Sequence, residues 1–481
     1  MTRIHTCLTI LLLLCCFAHN AKATITLEAE TATYTDCQVI TDNKYSGGKA
    51  LELRESTSTI TFTYKADSNG KYTIYLGYDG SHGAKVVNVV VNGNASNVQG
   101  SDNISTSPVD ANSTASAKTM YSFLYNNFGK KTISGMMTGD MSSANGDVRA
   151  HDDIAAVYAA SGKYPALVGF DFMNATGLSS DESWSKQYTN ATVTLAQDTY
   201  QRGGLPAYTW HWRDPSKSTG EFYTEKCDFK ITDAMYSSGN WNTSSTAYKA
   251  IIRDIDIIAD YFLSLQQKGV ACIFRPLHEA SGGWFWWGRS GAAPFVKLYH
   301  LVFDRMVKTK GVHNLIWVWN AGADDNDWDP GESYYDVVSA DIYNNALDYS
   351  SNYATFDKLK TLTNGKKIIA LSENGPIPDI DKEFNEDAVW SWWMPWYNTW
   401  SGNYVSQTSN AEWKKCMNDS RVVTLEDLSA GWENYSAIST PKVSNTQTPI
   451  NQGIFDLQGR HLDRKPAKGL YIENGKKVVV R

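Results

Sequence analysis

Val270-Ala-Cys-Ile-Phe274-Arg275-Pro-Leu-His278-Glu279-Ala-Ser-Gly-Gly-Trp284-Phe-Trp-Trp-Gly288 opens as an apolar run and ends in a loop of glycines and indoles. An unbroken apolar run bounded by turn residues fits a strand buried on both faces, as in a parallel sheet. Glu279 follows that run within a few residues. The pattern recurs at Lys367-Ile-Ile-Ala-Leu371, which leads into Ser372-Glu373-Asn374-Gly375. Further runs lie at Ile133–Met137, Ala166–Phe170, Leu205–Thr209, Leu315–Trp319, Val337–Asp341 and Trp390–Met394, making eight in all. Between the third and fourth, Ile251, Ile252, Ile255, Ile258, Phe262 and Leu265 share one helical face, and Gly269 is placed to end that helix. Strands alternating with helical patterns over about 300 residues predict an α/β fold, the (β/α)8 TIM barrel. Functional side chains of that fold gather at the C-terminal strand ends. Glu279 and Glu373 stand just past the fourth and seventh strands by this reading.

Around the barrel the chain changes texture. Met1 to Ala23 has the form of a secretory leader: Arg3, the apolar run Leu8–Phe17, and Ala21-Lys22-Ala23 as a cleavage site. Residues 24–100 read as a β-rich segment, 101–118 as a Ser/Thr/Asn linker, 119–437 as the barrel, 438–452 as a second linker and 453–481 as a short β-rich tail. The leader implies a secreted, cell-surface or periplasmic protein. Its apolar run is too short to span a bilayer, so no transmembrane segment is expected. A net charge of −7 without a basic patch argues against a nucleic-acid partner. The chain is expected to act as a monomer. After cleavage four cysteines remain; Cys272 reads as a buried thiol, and a Cys227–Cys416 bridge is conceivable.

The chemistry comes from carboxylates and aromatics. Glu279 can give and take a proton, and Trp284 to Trp287 offers flat faces suited to the C–H face of a sugar ring. Cleaving a glycosidic bond takes two carboxylates, and Glu373 is the second. The 17 Trp and 27 Tyr exceed what core packing alone asks for, which also fits a carbohydrate surface. Trp317 and Trp319 share one face of a strand and read as core. Asp324-Asp-Asn-Asp327 lacks the spaced ligands and final Glu of a calcium loop, so no metal or cofactor is expected.

The Arg275–Gly288 stretch, with Ser372-Glu373-Asn374-Gly375 downstream, resembles glycoside hydrolase family 26, and within it the β-mannanases. The resemblance covers roughly residues 119 to 437. It implies a retaining endo-β-1,4-mannanase with Glu279 as acid/base and Glu373 as nucleophile. It further implies sugar-site roles for His278, for His211 in Thr209-Trp-His-Trp212, for Asp341 and Tyr343 in Asp341-Ile-Tyr343, and for Trp284. Trp392 or Trp393, on strand eight, is expected to supply a stacking floor. The implied partner is a β-mannan polysaccharide or oligosaccharide. Residues Leu27–Glu30, Tyr45–Gly48, Gly70–Ile74 and Val90–Gly93 resemble family 35 carbohydrate-binding modules, cut short near Gly100. The tail resembles C-terminal segments of secreted Bacteroidetes proteins. Two other readings stay open: a related β-glycanase acting on xylan or mixed-linkage glucan, and an inactive glycan-binding protein.

Overall fold

The computed structural model describes residues 104–428 apart from 142–144, 323–324 and 399–403, then 431–432, and short runs between 6 and 75 and between 454 and 480. Contacts divide the chain into two units, Met1–Ser96 and Asn97–Arg481.

In the second unit eight parallel strands form a closed barrel. They are β1 (Thr132–Met137), β2 (Leu167–Asp171), β3 (Leu205–Thr209), β4 (Cys272–Arg275), β5 (Leu315–Asn320), β6 (Val337–Ile342), β7 (Ile368–Asn374) and β8 (Trp392–Pro395). Each pairs with the next, and β1 pairs with both β2 and β8. The expected (β/α)8 barrel is thus the observed fold, and all eight runs are its strands. These strands lack polar alternation because both faces are covered; every residue of β1, β2, β3, β4, β5 and β7 is buried.

Among the described residues eight helices accompany them: α1 (Ala115–Asn127), α2 (Asp152–Ser161), α3 (Glu182–Gln201), α4 (Thr246–Gln266), α5 (Ala292–Asp304), α6 (Tyr353–Leu362), α7 (Ile380–Asn385) and α8 (Asn410–Met417). The β5–β6 connection carries a 3-10 turn, Asn326–Trp328, in place of a helix. The stripe expected on α4 is inward-facing: Ile251, Ile255, Ile258, Phe262 and Leu265 are buried, with Ile252 at its margin. Burying each such side chain contributes about 1.5–3 kcal/mol. Trp317 and Trp319 are core, as their alternation implied.

The stretch read as a linker is, from Ile104 onward, a strap on the barrel. Ile104, Asp110 and Ser113 are buried. Val109 N–H donates to Asp336 Oδ1 at 2.7 Å, Thr114 N–H to His313 O at 2.8 Å, and Tyr121 Oη to Ser105 O at 2.7 Å. His313 Nδ1 lies 2.7 Å from Asp110 Oδ2. Since His313 and Asp336 just precede β5 and β6, the strap lies at the N-terminal ends of these strands. Its Ser, Thr and Asp residues form turns and a cap, with Thr114 Oγ1 accepting from Ala117 N–H at 3.2 Å, so polar composition here signals local hydrogen bonding.

The conceivable Cys227–Cys416 bridge is absent. Cys227 lies buried in the β3–α4 loop and Cys416 on the inner side of α8, in another sector of the barrel, and both are thiols. Cys272 is buried, as expected.

The first unit holds antiparallel pairs. Leu11–Ala18 pairs with Ala21–Glu28 and Tyr72–Tyr75, Lys49–Leu53 with Thr6–Leu8 and Cys37–Thr41, and Thr33–Thr35 with Thr59–Thr61. The β-rich run Val86–Val91 lies outside the described residues. In the tail, His461–Leu462, Ile454–Phe455, Gly469–Glu473 and Lys476–Val480 form a four-stranded sheet. Among the described residues no helix is long and apolar enough to cross a membrane.

Asp336 gathers the strap, β5 and β6: its oxygens accept from Val109 N–H and Trp317 N–H, at 2.7 and 2.8 Å. Asp336→Ala leaves two amides without partners, each costing about 1–3 kcal/mol. The expected outcome in urea denaturation is a loss of about 2–6 kcal/mol; an unchanged midpoint would show that these two bonds carry no stability.

Candidate active site

The C-terminal mouth of the barrel is organised by Arg275, the last residue of β4, only 3% exposed. Its Nη1 donates to Asp341 Oδ2 at 2.7 Å, and its Nη2 donates to Glu373 Oε1. Burial works against the guanidinium charge, but the two carboxylates outweigh it and raise its pKa. Asp341 comes from β6 and Glu373 from β7, whose pairing slips by one residue around Ser372: Ala340 faces Leu371, yet Asp341 faces Glu373. The pairing with β8 slips at the same point, between Leu371 and Asn374. Such a bulge re-aims a side chain at a barrel rim, here Glu373. Its second oxygen, Oε2, accepts from Tyr343 Oη at 2.7 Å. Burial and the Glu373 charge push the Tyr343 phenol well up, so it stays a donor.

Glu279 reaches the same point from the β4–α5 loop. Leu277 and Glu279 both hold left-handed backbone, with φ of 55° and 53°. That conformation is unfavourable for residues with a Cβ and persists where surroundings fix it. Two contacts do so: Leu277 is buried, and Glu279 N–H donates to Asn320 Oδ1 at 2.8 Å. Asn320 Nδ2 in turn donates to Asp341 Oδ1 at 2.9 Å. Glu279, Asp341 and Glu373 thereby bring carboxylate oxygens within 4.8 Å of one another. Such a trio suits a cation, and Arg275 supplies one. Burial, and then the nearby Glu373 charge, raise the Glu279 pKa; Trp284 Nε1–H, donating to Oε2 at 2.8 Å, works the other way.

The two histidines form a chain below Glu373. His211 Nδ1 lies 2.6 Å from Asp171 Oδ2, His211 Nε2 lies 3.1 Å from His278 Nε2, and His278 Nδ1 lies 3.2 Å from Thr209 Oγ1. Burial opposes charge on both rings. At His211 the Asp171 carboxylate outweighs it and raises the pKa, while at His278 Arg275 and His211 add to it and hold the ring neutral. The assignment that satisfies every link has His211 donating from both nitrogens, to Asp171 and to His278, with His278 Nδ1–H donating to Thr209.

Of the indoles after Glu279, Trp284 is 47% exposed while Trp286 and Trp287 are fully buried. Trp287 Nε1–H donates to His278 O at 2.8 Å and Trp286 Nε1–H to Trp212 O at 2.6 Å, so these two brace the loop. The β3 loop is zipped to it by Thr224 N–H to Trp284 O at 2.7 Å and Trp286 N–H to Phe222 O at 3.1 Å. Trp284 lies over Gly282, where a Cβ would come within 2.1 Å of the ring.

The structure therefore brings Glu279, Glu373, His211, His278, Trp284, Asp341 and Tyr343 to one mouth. Trp392 and Trp393 are a correction: at 1% and 0% exposed, neither can stack on a sugar. They belong to the barrel wall, with Trp393 packing against Trp413 of α8. The aromatic at the mouth from this strand is Trp396, just past its end, 5.7 Å from the His211 ring. Sequence reading also gave no role to Arg275, Asn320 or Asp171. A signal existed for Arg275 and Asp171, since a charge at the end of an apolar run must find a buried partner. In the acidic loop Asp325 Oδ2 accepts Gly322 N–H at 2.6 Å, while Asp324 lies outside the described residues.

Residues 109–427 match the model of Glycosyl hydrolase family 26, and residues 25–127 that of Carbohydrate binding module (family 35). The latter match runs past Gly100, where sequence reading ended the segment. The chain is 30% identical to a mannan endo-1,4-beta-mannosidase of Thermothelomyces thermophilus, over 87% of this chain and 93% of that protein. Among solved structures, a beta-mannanase from a symbiotic protist of the termite Reticulitermes speratus, complexed with gluco-manno-oligosaccharide, is 40% identical. It covers 68% of this chain and 98% of its own, with a TM-score of 0.61. The Podospora anserina GH26-CBM35 beta-(1,4)-mannanase is 25% identical over 90% of this chain and 89% of its own, at a TM-score of 0.60. A family match across well over half of its length, on the barrel these enzymes share, makes this chain a member of glycosyl hydrolase family 26 and a glycoside hydrolase.

Proposed function

We propose that this protein is a secreted, retaining endo-β-1,4-mannanase that cleaves mannan, glucomannan or galactomannan through Glu373 and Glu279. The observation that carries the mechanism is the closeness of the two glutamates, each of which offers one oxygen within 4.8 Å of an oxygen of the other. Retaining enzymes hold their carboxyl groups about 5–5.5 Å apart, whereas inverting ones need about 6.5–9.5 Å to admit a water between carboxylate and sugar. Glu373, oriented by Arg275 and Tyr343, attacks the anomeric carbon. Glu279 donates its proton to the departing glycosidic oxygen. In the glycosyl-enzyme the Glu373 charge is gone, which removes one cause of the raised Glu279 pKa. Glu279 then takes a proton from water, which releases the sugar with retention. The mannan assignment is supported by the names of the relatives, and secretion by the leader-like Met1–Ala23. Mixed short manno-oligosaccharides from glucomannan and galactomannan, with xylan untouched, are the expected products; activity confined to xylan or barley β-glucan would overturn the substrate.

Glu373→Ala is expected to abolish turnover while still binding manno-oligosaccharide. Glu279→Ala is expected to slow turnover by about 10²–10⁴-fold, the usual contribution of general acid–base catalysis. The anomer formed first, followed by proton NMR, should be β; an α product would replace the nucleophile with an activated water.

The pH profile tests the acid. Glu279 must be protonated to act, so the alkaline limb of kcat/KM reports its pKa in the free enzyme. Trp284 Nε1–H donates to Glu279 and favours the anion. Trp284→Phe removes that donor, raises the pKa, and is expected to move the alkaline limb to higher pH. A limb that stays put or moves down would take Glu279 out of the acid role.

A further inference from the structure

The loops after β2 and β3 run side by side at the mouth of the barrel. Phe172 N–H donates to Thr209 O at 3.1 Å, His211 N–H to Asp171 Oδ1 at 3.1 Å, and Trp210 Nε1–H to Thr176 Oγ1 at 3.2 Å. Beyond these bonds the stem of Arg213 lies on Gly177, where a Cβ would come within 2.3 Å of the Arg213 Cβ. Gly177 also holds left-handed backbone, with φ of 85°, so its conformation and its lack of a side chain both make room for Arg213. The loop that carries Arg213 is fixed in turn by Asp214, which is buried. Its carboxylate accepts from Ser216 N–H at 2.8 Å and Ser218 N–H at 3.1 Å, and its own N–H donates to Glu221 O at 2.9 Å.

Two polar groups in this junction have no protein partner. Asn174, three residues past β2, is 8% exposed, and its Oδ1 is buried without a hydrogen bond. Arg213, four residues past β3, is partly buried, and its Nε is likewise unpartnered. Among the described residues no carboxylate forms an ion pair with it. Burial lowers the Arg213 pKa, and the Asp171 and Glu221 carboxylates oppose that without pairing with it. A buried polar group left unmade costs about 1–3 kcal/mol, and more if charged. Arg275 shows how the same mouth treats a guanidinium that serves the fold, with a carboxylate on each Nη. Arg213 is held in place just as firmly by its loop, yet its donors are left open, and an orphaned acceptor lies in the adjoining loop.

We propose that Arg213 and Asn174 form a polar subsite that binds the hydroxyl groups of a sugar unit passing the Asp171–His211 pair. A sugar hydroxyl both donates and accepts, so neighbouring hydroxyls of one ring can meet the guanidinium N–H groups and the Asn174 oxygen together. An anionic ligand does not suit the place, because Asp171 and Glu221 already put negative charge beside Arg213. The junction adjoins His211, whose Nε2 lies 3.1 Å from His278 Nε2 next to the Glu373 carboxylate, so the hydroxyls it meets are those of substrate in the cleft. The identity of the sugar rests on the mannanase reading.

The test pairs steady-state kinetics on manno-oligosaccharides with urea denaturation of the full chain. Arg213→Met keeps the apolar stem over Gly177 and removes every donor. It is expected to raise KM by about 10- to 100-fold, the worth of hydrogen bonds from a charged group, with kcat little changed. Asn174→Leu should raise KM by about 2- to 10-fold, as for a neutral hydrogen bond. Neither should lower the urea midpoint, because neither removes a side-chain bond that the free protein makes, and Arg213→Met should leave it unchanged or raise it by removing an unpaired charge. A KM that stays put in Arg213→Met overturns the proposal. So does a midpoint that falls together with activity, which would make Arg213 a structural residue. Wild-type activity confined to another β-glycan would overturn the mannan reading instead, and the same two measurements on that glycan would still decide Arg213.

Discussion

The Arg275 guanidinium, almost wholly removed from water, is the constraint on which the mouth of this barrel depends. A buried cation is costly unless it is paired and its donors are used. Here Nη1 and Nη2 reach two carboxylates on two strands, Asp341 on β6 and Glu373 on β7. A lysine ammonium, a compact point charge without the planar fork, would not span the two in the same way. Asn320 then joins the Glu279 backbone to that same Asp341. Acid and nucleophile are therefore positioned from one charge, although they come from opposite ends of a long sequence separation. Breaking such a pair by removing one partner typically costs about 3–5 kcal/mol, because the other charge stays buried.

The protons follow from the same arrangement. Three carboxylates face one guanidinium, so full ionisation would leave a dense negative site in a poorly solvated place. Burial and the Glu373 charge raise the pKa of Glu279, the less enclosed of the two glutamates, and burial pushes the Asp341 carboxyl well above its ordinary value despite Arg275 beside it. The histidines show how a partner decides a titration. Both are buried and only 3.1 Å apart, yet Asp171 beside His211 raises one pKa while Arg275 beside His278 lowers the other. A neutral His278 does not add repulsion to Arg275, and it can accept from His211.

What sequence carried, and what it missed, divides along physical lines. Barrel strands are legible because both their faces are apolar, which leaves unbroken runs such as Ile133–Met137. That same property hid the orientation of Trp392 and Trp393, because no polar alternation marks which side faces the mouth. The useful tryptophan, Trp396, lies past the strand end, where the chain is free to turn toward the cleft. The strap at 104–114 was misread because Ser, Thr and Asp in turns and caps look like a solvated linker. Between β5 and β6 the described residues form a 3-10 turn in place of a helix, and the short polar stretch there carries no helical pattern. Glu279 and Glu373 were legible from their motif, but the left-handed backbone at Leu277 and Glu279 and the slip at Ser372, which aim them, have no signature in residue type.

The two glutamates differ in exposure, and the difference suits their tasks. Glu373 is 4% exposed, with both oxygens accepting from protein donors. A nucleophile that exchanges its bond only with sugar needs orientation more than water. Glu279 is half-buried, on a loop, with one oxygen held by a half-exposed indole. An acid that becomes a base must lose a proton and regain one in every cycle, and it must meet the water that ends the cycle. Full burial would raise its pKa further but cut that exchange; full exposure would return the pKa to its ordinary range and leave no proton to give. The loop geometry after β4 sets that compromise, with Leu277 sunk into the core and Glu279 turned back toward Arg275.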